Sequence, residues 1–262
     1  MLRPPISSEH QPIPDCWVTL SFIAGETSRV TIGSLVSSVL FRSPEYLTRI
    51  CSSLSEVGGN RLVVGLGSGW YDDEFASYGI EFPTPKARIH EVERAITAIR
   101  GSAAELGDKG KQERQIPRIW VGGSGERFTL PLVAKMANGC SLQGNSSTIT
   151  QKIGVLKSFC RNYSRDINEI TISKQSNIII DSSREKINSK LRSIIPDETK
   201  WKSFAQNNIV GTPDECVAQI VQLSNLGISY FTLNFPDLFD LESIRMFAKE
   251  VVGQLEIPEY AA

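Results

Sequence analysis

A chain of 262 residues, 40% hydrophobic and 22% charged, can bury a sizeable core and suits one α/β barrel or two smaller domains. A formal net charge of -1 excludes the basic footprint of a nucleic-acid binder, and no run of about 18 apolar residues offers a membrane span. The five cysteines (Cys16, Cys51, Cys140, Cys160 and Cys216) form no Cys-x-x-Cys pair and the two histidines, His10 and His90, are too few for a multi-histidine site, so neither a disulfide framework nor a metal centre is expected.

The first 15 residues carry four prolines and no apolar leader segment, so they read as extended chain of a cytoplasmic protein. Asp15 is a cap for a helix over residues 17–26. Residues 30–36 (VTIGSLV) are a strand candidate. Ser43-Pro44-Glu45 opens a helix on which Tyr46, Leu47, Ile50 and Leu54 recur at helical spacing, and Gly58-Gly59-Asn60 ends it. Leu62, Val63 and Val64 form the short apolar run of a strand buried on both faces. Gly65, Gly67 and Gly69 then permit either a tight turn or close approach to a ligand. Trp70, Tyr71, Asp72, Asp73 and Glu74 follow, and the segment reads either as an active-site wall or as a plain glycine-rich turn. Asp72 and Asp73 are the acids of a helix start.

A helix over 88–100 places Ile89, Val92, Ile96 and Ile99 on one face, and polar residues 101–115 read as a loop. Residues 118–121 (RIWV) are a strand running into Gly122-Gly123-Ser124-Gly125 and then a helix through Leu130, Val133, Ala134 and Met136. Backbone N–H groups in such a strand-to-helix loop favour a phosphate. It is not a dinucleotide fingerprint, since the third glycine and the later acid are missing. A strand over 139–142, a helix over 149–163 and a strand within 170–180 come next. Ser182-Ser183 caps a helix to about 195, residues 196–208 are a polar connection, and Thr212-Pro213-Asp214-Glu215 opens a helix that Gly227 stops. A strand over 230–235 and a helix over 241–255 end the chain. Six strands alternating with helices predict a parallel sheet, its strands adjacent in sequence order. A closed (β/α)8 barrel needs eight.

Several of these segments, taken in order, resemble the bacterial-luciferase-like oxidoreductases, in the branch usually called probable F420-dependent. They are ETSRVTIGSLV with FRSP, GNRLVVGLGSGWYDDEFASYGIEFP, RIWVGGSGERFTLPLVAKMANG and IVGTPDECVAQIVQLSNLGI. The resemblance implies one luciferase-like TIM barrel over residues 1–262 that lacks its first two strands. It implies hydride transfer between coenzyme F420 and a small organic molecule. With FMN instead, a monooxygenase would follow; a non-catalytic flavin-binding or partner subunit is a third reading, and a homodimer is a further expectation. By the same resemblance, Ser34-Leu35 falls at the family's non-proline cis peptide, behind the deazaflavin ring, with Ser37 near the ring edge. Gly67 and Trp70 line the pocket, and Gly122, Gly123, Ser124 and Gly125 hold the phosphate. Trp70 stands where some members carry a glutamate acid, and an indole transfers no proton. The family's Asp-His pair has no counterpart beyond one candidate, His10. Glu74 and Arg88 are expected to form a structural ion pair, and His90 to be solvated. With the first strands lacking, residues 30–36 and 230–235 would be open sheet edges, through which a chain of this length is expected to aggregate or assemble unless a longer N-terminus covers them.

Overall fold

The computed structural model describes residues 14–107, 116–236 and 241–255. The chain divides into two compact units, Met1–Cys140 with Ser158–Ile170, and Ser141–Lys157 with Thr171–Ala262.

The first unit opens with α1 (Cys16–Glu26), whose cap is the expected one: Asp15 Oδ1 accepts from the N–H groups of Trp17 at 2.9 Å and Val18 at 3.2 Å. Two short strands follow, β1 (Ile32–Gly33) and β2 (Ser37–Ser38), then α2 (Pro44–Val57), with Pro44 in its first turn and Ser43 Oγ accepting from Tyr46 N at 3.2 Å. β3 (Leu62–Gly67) is the strand against which β1 and β2 both pair in parallel. Next come α3 (Asp72–Ser77), α4 (Pro85–Gly107), β4 (Arg118–Gly122), parallel to β3, and α5 (Thr129–Met136). β5 (Gly139–Leu142) and α6 (Ser146–Asn162) each contribute residues to both units.

Two expectations need correction here. The strand over 30–36 is broken. Gly33 lies opposite Val63 and Ser37 opposite Leu66, so four steps along the first strand answer three along β3, which is a bulge of one residue. The helix expected to stop near Arg100 instead runs to Gly107, because the lone Gly101 costs a helix only about 1 kcal/mol and alanine, glutamate and leucine follow it. The rest of the expected loop, residues 108–115, lies outside the described residues.

In the second unit β6 (Thr171–Ile180) is the long central strand. It is followed by α7 (Arg184–Ile194), capped by Ser183, then α8 (Trp201–Asn207), β7 (Ile209–Gly211) and α9 (Pro213–Asn225). α9 starts with a full capping box, in which Thr212 N donates to Glu215 Oε2 at 2.8 Å. β8 (Tyr230–Asn234) and α10 (Leu241–Met246) follow, and the helix expected over 241–255 is α-helical only to Met246, continuing as a π-helical turn over Phe247–Val251 and a 3-10 turn over Val252–Gln254. β6 pairs in parallel with β8 along Ser173–Asn177 and with β7 along Ile178–Ile180. β7 is a strand the sequence pattern did not announce: three residues are too few to show a period, and the polar connection runs straight into them. Ile178, Ile180, Ile209, Cys216, Ile220 and Val251 form one core cluster of this unit. Among the described residues no helix is long and apolar enough to cross a membrane.

Candidate functional site

The bulge between β1 and β2 organises the strand ends of the first unit. Ser34 is pinned first: its hydroxyl donates to Gly65 O at 2.8 Å and accepts from Gly65 N at 3.1 Å. Only after Ser34 does the chain leave β3. The non-proline cis peptide is therefore Leu35-Val36, one residue later than the Ser34-Leu35 expected from the resemblance. Val36 is received by glycines. A Cβ on Gly67 would sit 2.4 Å from Val36 Cγ2, and one on Gly122 would sit 2.7 and 2.9 Å from the two valine methyls. A Cβ on Gly65 would come within 1.9 Å of Ser34 O. Gly65 and Gly67 thus lie inside β3 and serve the bulge; they are not the turn that their spacing allowed. Held this way, Val36 remains 38% exposed and Leu35 is half-buried, so the bulge presents an apolar surface. Ser37 is buried, and its hydroxyl accepts from the Trp17 indole at 3.1 Å.

The aromatic segment after β3 forms a column. Phe75 is fully buried, with Phe41 stacked at 4.7 Å and Phe82 at 4.9 Å between ring centroids. The Arg88 guanidinium lies 3.7 Å from the centre of the Phe82 ring. Gly69, at φ 75°, passes so close that a Cβ would meet the Phe75 ring at 2.6 Å. Asp72 and Asp73 stand in the first turn of α3, as expected. The expected Glu74–Arg88 pair is not made: among the described residues no ion pair joins them, Arg88 having turned onto Phe82, and burial pushes the Glu74 carboxyl up from its ordinary pKa. Trp70 is 71% exposed and leans on Tyr71, ring centroids 5.4 Å apart.

β4 ends at Gly122, and Gly123 takes φ 103°, a conformation that glycine adopts without strain. Thr129 N and Leu130 N both donate to Gly125 O at 3.0 Å, and Pro131 has no N–H. The first turn of α5 is therefore closed onto Gly125, and donors for an anion must come from the loop itself. No acid stands in that turn to repel one. The other end of α5 is held by two arginines. Arg165 donates to Val133 O and Ala134 O at 3.1 Å and to Ala137 O at 2.6 Å, and Arg100 donates to Met136 O at 2.7 Å. Sequence reading missed both, because their acceptors are backbone carbonyls 28 to 36 residues away.

In the second unit Ser173, Gln175 and Asn177 share one face of β6. Gln143 donates to Gln175 at 2.6 Å, Asn234 to Asn177 at 2.7 Å, and the Asn177 amide to Asn208 at 3.0 Å. The hydroxyls of Ser141 and Ser173 are buried and have no hydrogen-bond partner among the described residues. This neutral amide and hydroxyl face was also not foreseen; a strand reading flags apolar alternation, and here the alternate residues are polar. His10 lies outside the described residues. His90 is exposed, 3.8 Å from Glu93. Among the described residues no group of three His, Cys, Asp or Glu side chains could hold a metal ion.

The model of the luciferase-like monooxygenase family matches residues 6–208. The 5,10-methylenetetrahydromethanopterin reductase of Methanolobus tindarius is 21% identical, across 94% of this chain and 90% of its own length. The F420-dependent glucose-6-phosphate dehydrogenase of Amycolatopsis mediterranei is 23% identical, across 94% of this chain and 85% of its own. Among solved structures, the oxygenating constituent of 3,6-diketocamphane monooxygenase from Pseudomonas putida, in complex with FMN, superposes with a TM-score of 0.72 at 13% identity, covering 94% of this chain and 85% of that one. A likeness at that identity shows the fold, the luciferase-like α/β TIM barrel. By the family match, which spans most of its length, this chain belongs to the luciferase-like monooxygenase family.

Proposed function

We propose that this protein transfers a hydride between coenzyme F420 and a small organic substrate. The observation that carries the reading is the glycine-walled bulge at Val36, beside a glycine loop that leads into a helix free of first-turn acids. The residues fit a flat cofactor with a phosphate-bearing tail. Leu35 and Val36 would give one ring face an apolar backing and keep water from it. Gly123, Ser124 and Gly125 would offer backbone donors to the phosphate. Trp70, mostly exposed, offers a face for stacking but no proton. Ser34 and Ser37, with hydroxyls already engaged, would act by fixing the bulge rather than by touching the cofactor. A bound deazaflavin supplies the hydride chemistry itself, and the protein orients and shields it.

The choice of F420 over FMN is supported by the two curated relatives aligned across 94% of the chain, one a reductase and the other named as F420-dependent. FMN is the second reading, favoured by the FMN-bound monooxygenase of the same fold. Fluorescence titration of the purified protein with F420 and with FMN separates them. Saturable F420 binding, with FMN at least about tenfold weaker, is the expected result. The reverse order would transfer the reading to an FMN monooxygenase, and no binding of either would leave a non-catalytic member of the family.

A further inference from the structure

The second unit contains a buried cation that the chemistry above does not use. Lys174, on β6, is 2% exposed. Its ammonium donates to Gly144 O at 3.1 Å and Asn207 O at 2.9 Å, which leaves the third of its hydrogens without a described acceptor in the protein. Both acceptors are neutral carbonyls. They solvate the charge but do not balance it, and among the described residues no carboxylate pairs with it. Burial accordingly pulls its pKa from 10.5 down to about 8.

Lys174 lines a cavity of about 390 Å³. Asn145 and Ser147, at the start of α6, line it too, as do Gln206, Gln219 and Gln222. No acid is among the lining residues, and none stands in the first turn of α6, a helix of 17 residues whose N-terminus carries a partial positive charge. Gly144, at φ 118°, makes the turn that brings β5 into this helix and aims its carbonyl at Lys174. A buried ammonium, a helix N-terminus and neutral amides around one acid-free cavity make a coherent set. We infer that this cavity binds a small oxyanion of the phosphate class, free or as the end of a phosphate ester, whose charge completes the environment of Lys174. Its components all belong to the second unit, and none of them is a residue of the glycine loop.

The test is calorimetric titration of the full chain with inorganic phosphate and with glycerol 3-phosphate, at constant ionic strength, alongside thermal unfolding in each. Saturable binding that raises Tm is expected, at least about tenfold weaker in Lys174→Gln. Gln222 is an exposed residue at the rim, so Gln222→Glu keeps the test open should Lys174→Gln fail to fold; the added carboxylate is expected to weaken binding comparably. Tighter binding of inorganic phosphate identifies a free anion, and tighter binding of the ester a phosphorylated small molecule. Absence of saturable binding to both, or binding unchanged in both variants, overturns the inference.

Discussion

In the first unit Gly65, Gly67 and Gly122 converge on one short bulge, whereas in the second Gln143 bonds to Gln175 and Asn234 to Asn177 along one strand face. The first surface is shaped by leaving side chains out, and its tolerances are steric and short-ranged. The second is built from side chains whose hydrogen bonds set its tolerances, and the opposite face of the same strand carries one buried charge, Lys174, whose tolerances are electrostatic. The same parallel-strand architecture thus provides a rigid apolar backing in one place and a polar, ionisable lining in another. Substitutions should affect the two through different physics.

The largest effect is expected at Gly65. A Cβ there would overlap the backbone oxygen of Ser34, which has no flexible end to move aside. Gly65→Ala should therefore cost more than about 3 kcal/mol in urea unfolding, at the upper end of overpacking penalties. A loss under about 1 kcal/mol would mean that the bulge is soft. On the polar side the corresponding probe is pH. Below about pH 8 Lys174 is charged in both the folded and unfolded states, and the full cost of burying the charge is present. Between about 8 and 10.5 the unfolded chain holds a proton that the folded chain has released, so this group makes stability rise with pH, by at most about 3 kcal/mol. Urea unfolding between pH 7.5 and 10 should show that rise in the wild type relative to Lys174→Met, and parallel curves would contradict it.

A smaller, more specific effect is expected from the contact of Gly67 with Val36. Gly67→Ala should destabilise by about 1–3 kcal/mol, and most of that loss should be recovered when Val36→Ala is added, because the clash is with a valine methyl and not with backbone. Additive losses in the double-mutant cycle would show that glycine is needed at this position for some other reason. The smallest change in stability is expected from Trp70→Ala. A side chain 71% exposed should contribute within about 0.5 kcal/mol of nothing to folding, so any loss of ligand affinity in that variant can be read as a contact.

Much of this fold was legible because helix starts are local chemistry: Asp15, Ser43 and Thr212 each cap the helix their residue types announce. Strand positions were legible where apolar runs were long enough, as at Leu62–Gly67. The rest depends on partners distant in sequence. Gly67 looked like a turn residue, but its reason is Val36, 31 positions earlier. The placement of the bulge depends on Ser34 finding Gly65. Arg61 has its reasons at a distance too: its guanidinium donates to Gly58 O, Val30 O, Ala24 O, Thr27 O and the Thr27 hydroxyl, tying the end of α1 to the start of β3. Lys174 gave no sign in sequence, because what marks it is burial without a counter-ion.

The central claim, that the strand-end loop of the first unit holds the phosphate of a flavin-type cofactor, is tested most directly at Gly123. Gly123→Ala and Gly123→Asp both place a Cβ at φ 103°, where glycine alone is unstrained, and only the second sets a carboxylate against the loop amides. With Tm confirming that both fold, fluorescence titration should find F420 binding at least about tenfold weaker in Gly123→Asp than in Gly123→Ala, a difference of about 1.4 kcal/mol. Equal affinities in the two variants, for F420 and FMN alike, would remove the phosphate from this loop and contradict the account.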